Sequence, residues 1–276
     1  ITGDTNITAR EDWYAFDVYY WPSNGYSDVE VIFDDEMTGT VEGKVEYESD
    51  GTDDGTDNEN WLKKAKLTIK SGNFDIVIED GTGKDNASIE IVNGSFTSDV
   101  SAYLAEESNL VKDEDGNFVV MDETEFEESA KEFYISNEDD LKLAIANQAN
   151  GVTWVFEDKT YDLKSTIKIT EDVTIQGNGA VLNKTEDIAN LTDASERCGF
   201  NIDNGANVEI NDLTIEGNRK IRHGVNVYTG AGQDTTTVTL NNVTMKDGTG
   251  YGLVNNASDV TVTDIETSGN GWGGIN

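Results

Sequence analysis

Arg219-Lys220-Ile221-Arg222-His223 is the one basic cluster in the chain, and it holds two of the four arginines and the only histidine. It follows a Gly217-Asn218 corner. Cations beside an imidazole can move a proton or hold an anion. Lys220, Arg222 and His223 are the residues to weigh as catalytic, and Arg219 joins them as a candidate ligand-binding set. The plainer alternative is a loop whose cations offset the surrounding acid.

A second feature is the aromatic run Trp13-Tyr-Ala-Phe-Asp-Val-Tyr-Tyr-Trp21. On a strand, Tyr14, Phe16, Val18 and Tyr20 face one way, inward, while Trp13, Tyr19 and Trp21 face the other beside Asp17. Rings rimmed by carboxylates suit the faces of sugars, so Trp13, Tyr19 and Trp21 are candidate ligand-binding residues. Burial of both faces is the competing reading. A third feature is the acidic loop Asp50 to Glu59. Asp53, Asp54 and Asp57 are candidate Ca²⁺ ligands there, although the EF-hand spacing fails because Trp61 stands at the twelfth position. A solvated acidic loop is the alternative. No organic cofactor motif occurs.

The background explains why one basic cluster stands out. Asp plus Glu number 55 against 19 for Lys plus Arg, a formal charge of −36 over 276 residues. Such a field repels nucleic acid and anionic membranes. No apolar run approaches the roughly 18 residues of a spanning helix, so no membrane insertion is expected. Residues 1–134 carry a net −25 and residues 135–276 a net −11. Cys198 is alone, which excludes an intrachain disulfide.

Internal repeats supply the framework that must position these groups. Leu67-Thr-Ile-Lys-Ser-Gly72-Asn-Phe74 recurs as Ile89-Glu-Ile-Val-Asn-Gly94-Ser-Phe96, an offset of 22 at the pairs 67/89, 69/91, 72/94 and 74/96. In the second half Val208-Glu-Ile-Asn-Asp-Leu213 matches Val238-Thr-Leu-Asn-Asn-Val243 and Val260-Thr-Val-Thr-Asp-Ile265. Their spacings are 30 and 22, with an insertion at Ala231 to Thr236. Val173-Thr-Ile-Gln-Gly-Asn178 reads as a weaker copy of the later part of this unit. Upstream of each unit stands a companion strand opened by Gly199, Gly224, Gly252 or Gly274. Asn201, Asn226 and Asn276 fall at one position after those glycines, where Val254 breaks the series. Stacked amides and left-handed corners are expected of these asparagines. A period near 22 with short strands and Gly/Asn corners is the pattern of a β-solenoid.

Asn137 to Gly151 reads as one amphipathic helix, over 138–149, with an N-cap residue, an acidic first turn and Leu141, Ala144, Ile145 and Ala149 on one face. It would cover the open end of a first coil. Asp115-Gly116 reads as a two-residue hairpin turn. On "SNEDDLKLAIANQANG", "TWVFEDKTYDL", "EDVTIQGNGAVL" and the Val-x-φ coils, residues 135–276 resemble the right-handed parallel β-helix of the pectate-lyase-like superfamily. Residues 62–121 resemble a repeat of Gram-positive bacterial surface proteins.

The expected fold is thus all-β: an acidic β-rich, solenoid-like domain over 1–134 and a right-handed β-helix with its capping helix over 135–276. The chain stops at the start of a coil, so further coils, or packing of an open end against another chain, are expected. In lyases of the resembled fold a Lys or Arg abstracts a proton and acids on neighbouring coils hold Ca²⁺. Asp203, Asp212 and Asp247 are the nearest equivalents here. The fold itself carries lyases, hydrolases and adhesins alike. Three functions compete: extracellular or cell-surface binding of a polysaccharide or cell-surface glycan in adhesion, a polysaccharide lyase or glycoside hydrolase, and a structural stalk. The charge and the lack of a definable catalytic set favour binding.

Overall fold

The structure, a computed structural model, describes residues 1–20, 28–48, 65–80 and 88–276. It is all-β, built mainly of long parallel ladders, in two compact units, Ile1–Ala130 and Lys131–Asn276.

In the first unit, strand Thr40–Glu48 pairs in parallel with Tyr14–Tyr19 on one side and Asn73–Asp80 on the other, and the last pairs with Gly94–Phe96. A second ladder joins Val29–Phe33, Ala65–Ile69 and Ile89–Ile91. The 22-residue offset is the register itself: Leu67 lies opposite Ile89, Ile69 opposite Ile91 and Phe74 opposite Phe96. Phe74 stacks on its counterpart Phe96, and contacts across the core extend an aromatic spine, with ring centroids 5.3, 5.2 and 5.1 Å apart along Phe16, Phe33, Phe74 and Phe96. Phe33 and Phe96 are wholly buried.

Two local expectations for this unit change. Tyr14 faces out, not in, because the register slips by one residue between Tyr14 and Phe16 and resets the alternation. Its hydroxyl donates to Glu79 at 2.6 Å. The hairpin joining Ser108–Lys112 to Phe118–Asp122 is present, but its loop is the three residues 114–116. Asp113 and Asn117 still bond, and Gly116 takes φ +91, the left-handed residue of a bulged turn.

The second unit repeats a fixed order. Successive segments give a strand to a first, a second and then a third parallel ladder. The first contains Val152–Phe156, Val173–Gln176 and the leading halves of Asn207–Glu216 and Thr237–Lys246, then Asp259–Thr263. The second holds Thr160–Leu163, Val181–Lys184, the trailing halves of the two long strands, and Glu266–Ser268. The third holds Ile167–Ile169, Cys198–Ile202, His223–Tyr228, Tyr251–Asn256 and Gly273–Ile275. The spacings of 30 and 22 read from the sequence are the observed pairs Val208–Val238 and Val238–Val260. Leu213 pairs with Val243, and both are buried. The offset of 22 on either side, Asn241–Thr263 and Thr244–Glu266, carries Ile265 to the same column.

Val173 pairs with Val208 rather than Leu213, so the weaker copy belongs to the leading half of the repeat. One column of left-handed corners is Asn178, Asp212, Asn242 and Asp264, all at φ +52, whereas Asn201 and Asn226 lie within strands. Asn and Asp tolerate that conformation because their short side chains bond locally. The companion glycines are required by close approach. A Cβ on Gly199 would sit 2.6 Å from the Gly224 carbonyl oxygen, and one on Gly224 would sit 2.7 Å from that of Gly252.

The helix spans Glu138–Ala146, shorter than 138–149. Asn137 caps it by accepting from the Asp139 and Asp140 amides, and Asp140 accepts in return from Ser136. It ends where the Asn147 amide side chain takes the Leu143 carbonyl. Gln148 then spends its side chain on Ile145, Lys168 and Thr170 instead of continuing the turn.

Candidate functional site

A cleft of about 580 Å³ opens on the outer face of the third ladder. Its floor is a row of amides that follows from the strand register, since Cys198 pairs with His223 and Asn201 with Asn226. Asn256 donates to Asn226 at 3.3 Å, Asn226 to Asn201 at 2.7 Å, and Asn201 to the Asp203 carboxylate at 2.9 Å. The row is directional: every amide points its hydrogens towards Asp203, which aligns the dipoles. Val254 interrupts the third rung, as the sequence implies, and Asn256 supplies the missing donor from two residues on.

One edge of the cleft is aromatic and cationic. Arg222 lies with its guanidinium carbon 5.3 Å from the centre of the Trp272 ring. His223 stacks on Tyr251 with centroids 6.0 Å apart and meets Trp272 edge-on at 5.9 Å. Main-chain bonds fix this edge: the Arg222 amide donates to Arg197, Gly250 to Arg222 and Trp272 to Gly250. Trp272 and Tyr228 remain 59% and 47% exposed, so both rings keep surface in solvent although Arg222 lies over one face of Trp272.

The protonation of His223 is set by its surroundings. Burial, and then the Arg222 charge, hold the imidazole below its ordinary value. The Tyr251 amide donates to Nδ1 at 3.0 Å, which therefore carries a lone pair. The neutral ring keeps its hydrogen on Nε2, where it acts as a donor.

Two acids also line the cleft. Asp193 is kept ionised, its carboxyl lowered by hydrogen bonds from the Ser195 hydroxyl and amide. Asp203 takes the end of the amide row. Arg197 is committed to its own loop, donating to the carbonyls of Leu191 and Thr192. Cys198 is buried with its thiol pushed up to about 12, which removes it as a nucleophile.

The basic cluster divides. Arg222 and His223 reach the cleft, but Arg219 and Lys220 do not line it. Arg219 donates to the Gly248 carbonyl and Lys220 to that of Thr185, each fastening a corner. Of the acids set against calcium, Asp203 lines the cleft, whereas Asp212 and Asp247 occupy left-handed corners elsewhere. Asp212 accepts from Asn242 at 2.7 Å. Trp13 and Tyr19 belong to the first unit, where Trp13 is 60% exposed under Arg10 and Tyr19 is half-buried. Trp21, Asp53, Asp54 and Asp57 lie outside the described residues. Among the described residues no group of three or more His, Cys, Asp or Glu could hold a metal ion.

Trp272, Tyr251, Tyr228, Arg197 and Asp193 carry no motif, yet the repeat holds a signal for one of them, Tyr251. The residue before each companion glycine forms a column of Cys198, His223, Tyr251 and Gly273, which places Tyr251 against His223. No family model, curated protein or solved structure matches the chain.

Proposed function

We propose that residues 131–276 form a right-handed parallel β-helix that binds a glycan in this cleft without turning it over, as part of an extracellular or cell-surface protein. The helix reading is supported by the fixed order of the three ladders and by the column of corners at φ +52. Parallel strands in one sheet are joined right-handedly in nearly all proteins. No described helix is long and apolar enough to cross a membrane.

One observation carries the binding reading. The exposed Trp272 ring lines the same cleft as a row of aligned amides, with Arg222 and His223 as donors. A flat ring packs on the apolar face of a sugar while polar groups at its edge take the hydroxyls. Proton transfer finds less support. Lys220 is bonded away from the cleft, and the basic nitrogen of His223 already holds an amide hydrogen.

The test is a panel of plant and host polysaccharides passed over the immobilised chain. Retention is expected, and Trp272→Ala should weaken it by about tenfold or more. Retention unmoved by that change would remove the cleft as the site. New reducing ends, or the ultraviolet absorbance of unsaturated uronates, would overturn the non-catalytic reading in favour of a lyase or hydrolase.

A further inference from the structure

Arg222 is the group in the cleft that the fold itself does not use. The other two arginines of this unit are bound to main-chain carbonyls. The Arg222 side chain is half-buried, and its Nε is buried with no acceptor. A desolvated guanidinium donor without a partner is unfavourable, since the lost water bonds are not replaced. It is also unexpected in a chain with 55 carboxylates for 19 lysines and arginines. Exposed lysines of this unit find such partners readily, as Lys159 does in Glu157 and Lys168 in Glu196. The Arg222 guanidinium instead lies over the Trp272 ring, on a backbone tied by main-chain bonds on both sides. Nε itself is sealed from solvent, so Arg222 lines the cleft as a fixed cation that an anion from outside can meet through its terminal nitrogens.

We propose that the cleft recognises a glycan through one isolated anionic group, a carboxylate or a sulfate ester, that seats on the Arg222 guanidinium. This rests on the glycan-binding reading and narrows it to a ligand class. A planar fork of donors matches either oxyanion, and charge assistance makes such bonds stronger than those to a hydroxyl. The neutral His223 next to it adds an N–H without competing for the anion. Two acids in the lining limit how much charge is accepted. Asp193 accepts from Ser195 and Asp203 from Asn201. A second anion a few ångströms along would face them, and a dense polyanion would also meet the −36 of the whole chain. Sparse charge is accepted, and dense charge is refused.

The experiment measures affinity of the full chain for four polymers at constant ionic strength. They are an alternating uronate polymer, its carboxyl-reduced form, a sparsely sulfated neutral glycan and polygalacturonate. The alternating uronate or the sulfated glycan should bind about 10- to 100-fold more tightly than the reduced form. Whichever of the two binds more tightly identifies the anion. Polygalacturonate should bind more weakly than the preferred polymer. R222Q should bring the charged and reduced affinities together, and R222K should keep part of the preference as a point charge. Equal affinity for charged and reduced polymers overturns the proposal and leaves glycan binding standing. Preference for polygalacturonate overturns the single-anion limit. Failure to retain any of the four overturns both. If R222Q does not fold, R222K decides: a preference as large as that of the parent chain counts against a bidentate contact.

Discussion

Lys184 offers a direct measure of what one misplaced charge costs this architecture. It ends the strand Val181–Lys184, lies opposite Leu163, and is only 1% exposed, with no partner for its Nζ. Desolvation pulls its ammonium from 10.5 down to about 8, against a small opposing pull from Glu186. That shift corresponds to about 3 kcal/mol at 1.36 kcal/mol per unit. The sign follows from proton binding. Below pH 8 both folded and unfolded chains hold the proton, so the full penalty applies. Between 8 and 10.5 only the unfolded chain holds it, so stability rises with pH, and above 10.5 the penalty is gone. Lys184→Met removes the charge and keeps a flexible unbranched chain of similar length. The variant should be about 3 kcal/mol more stable than the parent at pH 7 in urea unfolding. The difference should shrink towards zero by pH 10.5. Other groups titrate equally in both proteins and cancel. A difference that stays constant from pH 7 to 10.5, or a variant less stable at pH 7, would refute the desolvated-ammonium account.

Gly224→Ala forces a Cβ to within 2.7 Å of a main-chain oxygen and should cost about 3 kcal/mol or more, read as a fall in the urea midpoint. Gly232→Ala, with open space but φ +82, should cost only about 1 kcal/mol, and equal losses would refute the close-approach reason for the glycine column. As the only histidine, His223 gives one imidazole signal, and its nuclear magnetic resonance titration should have a midpoint below 6.5. Because the folded value is depressed, stability is lost as pH falls from about 6.5 towards that midpoint, while the unfolded chain takes up its proton first. A midpoint at or above 6.5 would refute burial and the Arg222 charge as what holds the imidazole down.

Much of the framework was legible in the residues, since a stack of repeats writes its register into the sequence. Offsets of 22 and 30 became the pairs Leu67–Ile89 and Val208–Val238, because parallel stacking sets each residue against its own counterpart. The amide stack of Asn226 on Asn201 was readable for the same reason. What the sequence could not decide was set by single local events that break the period. A register slip turned Tyr14 outward, and Asn147 ended the helix early. The alternation of Leu182 and Lys184 gives both the same face, but nothing in the residue types says that the last one is sealed from water. The candidate site divides along the same line. Composition marked Arg219 to His223 as unusual, but only His223 lies on a strand, so no alternation orders the other side chains. Only the tertiary structure spent Arg219 and Lys220 on carbonyls at corners and stacked Arg222 on a tryptophan fifty positions later. Whether a cation serves the fold or faces a ligand depends on which acceptors lie within about 3 Å, and contacts between distant segments decide that.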